Sequence, residues 1–163
     1  MIRIHALMGS GRYTEARRML EEALEREPAN GSAHGMMGWI CWALLDEHDR
    51  ALVHFRCAVR WAPALANTWM HYLNVLAGDG HTEELREAYG RALQVPGIDR
   101  AEVHAIVARF LERRGELHQA LGRYREAARC AMNSAVEHAL RSDARRVRAR
   151  IRRSRWERWF AAG

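Results

Sequence analysis

The chain has 163 residues, enough for one ordinary domain, and its formal charge of +6 rests on 26 basic residues that are all arginine. Without lysine it can form no Schiff base and offers no ammonium group to a phosphate, and its three cysteines, Cys41, Cys57 and Cys130, are too far apart for a disulfide framework. The richest apolar window, Met36–Leu45, is shorter than the roughly 18 residues a membrane helix needs, and Met1–Arg12 holds no apolar run of signal-peptide length, so reduced thiols in the cytoplasm are expected, with no transmembrane span.

Apolar residues recur at helical spacing almost everywhere, and no stretch sustains a period of two. In chain order the pattern predicts helices over 2–9 and 13–26, 32–45 and 48–61, 67–78 and 82–94, and 100–114 and 117–131. A ninth, long helix starts near Ser134 and runs past Arg152. Asp99-x-x-Glu102 and Ser134-x-x-Glu137 read as capping boxes, and Ser32 and Thr82 as N-caps. Gly9, Gly80 and Gly115 stand where the chain leaves a helix, a place that favours left-handed backbone.

A pattern of small and aromatic residues returns four times. It runs through Gly11, Tyr13, Ala16, Leu20 and Ala23 to Pro28, then through Ala51, Phe55 and Ala58 to Pro63. It returns in Gly80, Leu85, Tyr89 and Ala92 before Pro96, and in Gly115, Ala120, Tyr124 and Ala127. The anchors Ala23, Ala58, Ala92 and Ala127 are 35, 34 and 35 residues apart. This pattern resembles the tetratricopeptide repeat, with Trp69 on the family's early tryptophan position and Gly38 on its first-helix glycine. Leu85 departs from the family's small residue, Leu20 replaces its aromatic, and the second repeat carries one extra residue near Leu45–Asp46.

The expected fold is therefore all-α, a right-handed superhelical array of four helix–turn–helix repeats over residues 1–131 (1–31, 32–66, 67–99 and 100–131) with a C-terminal capping helix over 132–163. Val136, Leu140, Ala144, Val147 and Ile151 fall within about 80° on a helical wheel and should dock that helix on the fourth hairpin. The first helix lacks such a cap, and Ile2, Ile4, Leu7 and Met8 are expected to be exposed unless a partner or a preceding segment covers them.

Nine histidines form neither a His-x-x-x-His nor a His-Glu-x-x-His pattern, so no metal is expected; His48, His81 and His118 read as turn residues. There is no nucleophile elbow and no glycine-rich phosphate loop, so neither catalysis nor a cofactor is expected. The resemblance implies a groove lined by the first helix of each pair: His5 and Met8, Trp39 and Trp42, Met70 and Asn74, Arg109 and Arg113. Trp39 and Trp42 share one helical face, which is either groove or core.

Charge is uneven along the chain. Residues 1–140 balance 17 arginines against 18 acids, whereas residues 141–163 hold 9 arginines against Asp143 and Glu157. The basic end comprises Arg145, Arg146, Arg148, Arg150, Arg152, Arg153, Arg155 and Arg158, with Trp156, Trp159 and Phe160 adding aromatic surface. These features point to a non-catalytic adaptor, scaffold or assembly subunit that binds a helix or extended peptide of a partner protein, one with some acidic character. Two other readings stay open: a cytosolic secretion-type chaperone, and a peripheral protein that meets RNA or an anionic membrane through its tail.

Overall fold

Nine helices make up the described residues: α1 (Ile2–Gly9), α2 (Tyr13–Arg26), α3 (Gly31–Ala43), α4 (His48–Trp61), α5 (Ala66–Asp79), α6 (Thr82–Ala92), α7 (Arg100–Arg113), α8 (Leu117–Cys130) and α9 (Ser134–Ala161). The computed structural model describes the backbone of residues 2–161 and the side chains of residues 2–154, and no strand occurs among them. The chain divides into two units, residues 1–97 and 98–163.

The tight turn inside each hairpin has one recurring geometry. Gly11, Asp46, Gly80 and Gly115 take positive φ, at the same spacing as the alanine anchors. The next N–H then reaches back to a carbonyl of the preceding helix: Arg12 to Leu7, His81 to Leu76 and Glu116 to Leu111, at 2.9, 3.0 and 2.9 Å. This is the Schellman closure, which satisfies a carbonyl orphaned at a helix end. In the second hairpin Glu47 reaches one residue further, to Cys41, so the extra residue of that repeat is absorbed in its turn. In the first hairpin the left-handed position falls on Gly11 and not on Gly9, because the helix runs through Gly9 before it breaks.

Several caps also differ from expectation. Asp99 accepts the Glu102 N–H at 3.0 Å, as its pattern predicts. At α3, however, Asn30 accepts from Ala33 N–H at 3.0 Å while Ser32 lies inside the helix. At α9, Asn133 accepts from Ala135 N–H at 2.7 Å, so Ser134 is already helical. Likewise Thr82 is the first residue of α6, and its hydroxyl donates back to the Gly80 carbonyl.

In the first unit consecutive helices from α1 to α6 pack on one another. The anchors explain why. Ala16, Ala51, Phe55 and Ala58 are fully buried. A Cβ on Gly38 would stand 2.9 Å from the Phe55 ring, so only glycine lets α3 and α4 approach this closely. Trp69 is buried, donates its indole N–H to the Pro63 carbonyl at 2.7 Å and lies under the Arg91 guanidinium. Ile4 and Leu7, expected to be exposed, are buried because α1 packs on α2; Met8 is half-buried, and Ile2 is open to solvent as expected.

The second unit is α7, α8 and α9. Tyr124, Ala127 and Ala128 of α8 meet Leu140, Ala144, Val147 and Ile151 of α9 in one core. The apolar stripe of α9 therefore docks as expected, except that Val136 is exposed and the docked stripe starts at Leu140.

Candidate functional site

Within the first unit, α1, α3 and the start of α5 enclose an open cleft of about 670 Å³. Helical spacing puts Ser32, Met36 and Trp39 on one face of α3, and Asn67 and His71 on the facing side of α5. His5 and Met8 of α1 and Tyr13 of α2 close one end. The Tyr13 and Trp39 rings are tilted at 5.7 Å, and one helical turn further on Trp42 is tilted against His71 at 5.8 Å. Gly35 forms part of the floor, where a Cβ would come within 2.7 Å of the Thr68 hydroxyl. No carboxylate and no arginine lines the cleft. Burial pushes the His71 imidazole below its ordinary range, which favours its neutral form.

Of the residues the sequence assigns to a groove, this cleft brings together His5, Met8 and Trp39. Trp42 is half-buried and borders it through His71. Met70 and Asn74, both half-buried, are not among the residues that line this cleft, where α5 contributes His71; the Asn74 amide donates to the Met70 carbonyl of its own helix at 2.9 Å. Arg109 and Arg113 belong to the second unit, where Arg109 pairs with Glu102 at 2.5 Å and Arg113 is exposed. Sequence reasoning missed Tyr13, Met36, Thr68 and His71. The signal for Met36 and His71 was present, since both follow from the i, i+3, i+4 rows through Trp39 and Asn67.

The basic end separates into distinct groups. Arg146 and Arg150 both reach Glu112 of α7, with Arg150 at 2.6 Å, and Arg146 also pairs with Asp143 at 2.9 Å. Tyr124 donates to the same Glu112 at 3.0 Å. Although its own burial raises it, hydrogen bonds from Arg146 and Tyr124 hold the Glu112 carboxyl below its ordinary range, while the Tyr124 hydroxyl, buried beside it, is pushed up to about 12. Arg145 donates to the Arg141 carbonyl at 3.3 Å, and Arg148, Arg152 and Arg153 are exposed. The side chains of Arg155, Trp156, Arg158, Trp159 and Phe160 lie outside the described residues.

Other chemistry-bearing groups are accounted for by packing. His48 bridges two carboxylates, Asp79 at 2.5 Å and Asp46 at 3.1 Å, and its hydrogen bond to Asp79 raises its pKa. Cys41 is buried, which pushes its thiol up, and Cys57 and Cys130 are half-buried and free. Among the described residues no group of three or more His, Cys, Asp or Glu is gathered to hold a metal, and no helix is long and apolar enough to cross a membrane.

Residues 5–30, which span α1 and α2, match the family model of the tetratricopeptide repeat. The chain carries a tetratricopeptide repeat and has the tetratricopeptide fold. Among solved structures it is similar to pilF of Pseudomonas aeruginosa (TM-score 0.70, 19% identity, 88% of this chain and 69% of that chain). It is also similar to MamA (TM-score 0.67, 14% identity, 88% and 83%) and to a thermophilic tetratricopeptide protein of Thermus thermophilus (TM-score 0.63, 18% identity, 88% and 77%). No curated protein matches the chain. A tetratricopeptide protein is in general a non-catalytic scaffold for protein–protein interaction, and its chemistry is that of contact surfaces.

Proposed function

We propose that this tetratricopeptide protein is an adaptor or assembly subunit that holds a helix or extended peptide of a partner protein in the cleft of its first unit. One observation carries the reading: Met8, Tyr13, Met36, Trp39 and His71 converge on one concave surface that no carboxylate and no arginine lines. Aromatic and methionine side chains in a concavity supply large contact area at low cost in side-chain order, and such residues dominate the energetics of protein interfaces. Gly35 keeps the floor open, since any Cβ there would push on Thr68. The three free cysteines fit a reducing, cytoplasmic setting.

Site-specific photo-crosslinking tests the proposal. A benzophenone amino acid replaces Met36 inside the cleft or the exposed Arg86 of α6, and the full chain is irradiated with its native extract. The proposal expects one discrete protein adduct from position 36, lost when Trp39→Ala is added, and none from position 86. Equal adducts from both positions would remove the cleft as the binding surface.

A further inference from the structure

The arginines of α9 divide into two faces with different fates. Arg146 and Arg150, four residues apart, turn onto Glu112 and are neutralised there. Arg141, Arg145 and Arg148 stand at i, i+4 and i+7 and so share another face. That face borders a second cleft, about 630 Å³, whose opposite wall is α8 with Arg125 and Arg129. Its apolar floor is Leu121, Ala128 and Ala144, and no carboxylate lines it. Two of these arginines have acidic partners on their own helices, Arg129 with Glu126 and Arg141 with Glu137. Arg145 has only a backbone carbonyl, and Arg125 and Arg148 have no carboxylate partner among the described residues. Three guanidinium groups without a carboxylate therefore face one concavity, and an anion entering between them gains charge-assisted bonds and relieves their mutual repulsion.

We propose that the α8–α9 cleft is a second binding site, one that takes an acidic amphipathic segment of a partner protein. Carboxylates of the segment pair with Arg125, Arg145 and Arg148, and an apolar side chain seats on Leu121 and Ala128. The floor decides between peptide and nucleic acid. No Phe, Tyr or Trp lines the cleft, the His138 imidazole alone gives no platform for successive bases, and a phosphodiester strand would leave the apolar floor uncovered. The site lies wholly in the second unit and does not depend on the first-unit cleft.

The test uses the full chain and three labelled probes: a helical peptide with glutamates and one leucine per turn, the same peptide with glutamine for glutamate, and a single-stranded DNA oligonucleotide of equal charge. The proteins are the parent, Arg125→Gln/Arg148→Gln, Arg152→Gln/Arg153→Gln and Trp39→Ala, each checked by circular dichroism and thermal melting. Both double variants remove the same charge from exposed positions, but only the first lies in the cleft. The acidic peptide should bind the parent, weaken about tenfold or more in Arg125→Gln/Arg148→Gln, and change less than about twofold in the other two proteins. The glutamine peptide should not bind. Three outcomes would overturn the proposal: no binding of the acidic peptide, equal loss in both double variants, or tighter cleft-dependent binding of the oligonucleotide.

Discussion

The first unit presents a cleft of methionine, aromatic and neutral polar side chains, whereas the second presents one bordered by five arginines. The helical hairpins beneath are alike. Both units even repeat one arrangement, in which the hydroxyl of a buried tyrosine donates to a glutamate twelve residues away that also holds an exposed arginine: Tyr72, Glu84 and Arg56 in the first, Tyr124, Glu112 and Arg146 in the second. The repeat constrains the alanine and aromatic positions that pack helix on helix. Most of the residues that line the two clefts lie off that pattern, and there the two units differ.

The comparison can be broken most forcefully by removing residues 134–163. That deletion strips Leu140, Val147 and Ile151 from the core of the second unit, and amide hydrogen exchange should show protection lost from α7 and α8 but kept in α3 to α6. Uniform loss would mean that the two units fold as one cooperative body. Next in size, Trp69→Ala removes a buried, hydrogen-bonded indole from the first unit and should cost about 3–5 kcal/mol in denaturant unfolding. A loss below about 1 kcal/mol would show that the site collapses freely, contrary to its tight packing.

Acid should act on the first unit in two steps. Burial, with help from His34, lowers His54 from 6.5 to about 4. An unfolded chain binds the extra proton between those values, so stability falls as pH drops from 6.5 toward 4. The bidentate bond from Arg56 holds Glu84 at about 2 rather than 4.5, which extends the loss from pH 4.5 toward 2. His54→Gln should flatten the first step of a melting-temperature profile and Glu84→Gln the second. Unchanged profiles would show that neither group is perturbed by folding.

The helices were legible because the apolar period and the turn residues agree: α2, α4 and α8 end within a residue of where pattern alone puts them. Finer features needed contacts between distant segments. Nothing local says that Arg146 and Arg150 face Glu112, 34 and 38 residues back, while Arg145 and Arg148 face a cleft. The wheel of α9 includes Val136, but its exposure shows that docking starts one turn later, at Leu140. Met70 and His71 are adjacent, and which of them enters the first cleft depends on the rotation of α5, fixed by Trp69, Tyr72 and Leu73 in the core.

Salt separates the two surfaces. Binding in the first cleft should hardly change between low and high ionic strength, whereas an acidic ligand of the α8–α9 cleft should weaken steadily as screening grows. A partner whose binding to the first cleft falls with salt as steeply would erase the distinction.

The most direct measurement is the affinity of the crosslinked partner, once purified, for the parent chain and for Trp39→Ala at two salt concentrations. Trp39 is half-buried at the cleft wall, so the substitution should leave the melting temperature nearly unchanged while weakening binding by about 2 kcal/mol, roughly 30-fold, at both salts. Unchanged affinity in a folded Trp39→Ala chain would contradict the first-unit cleft as the partner's site.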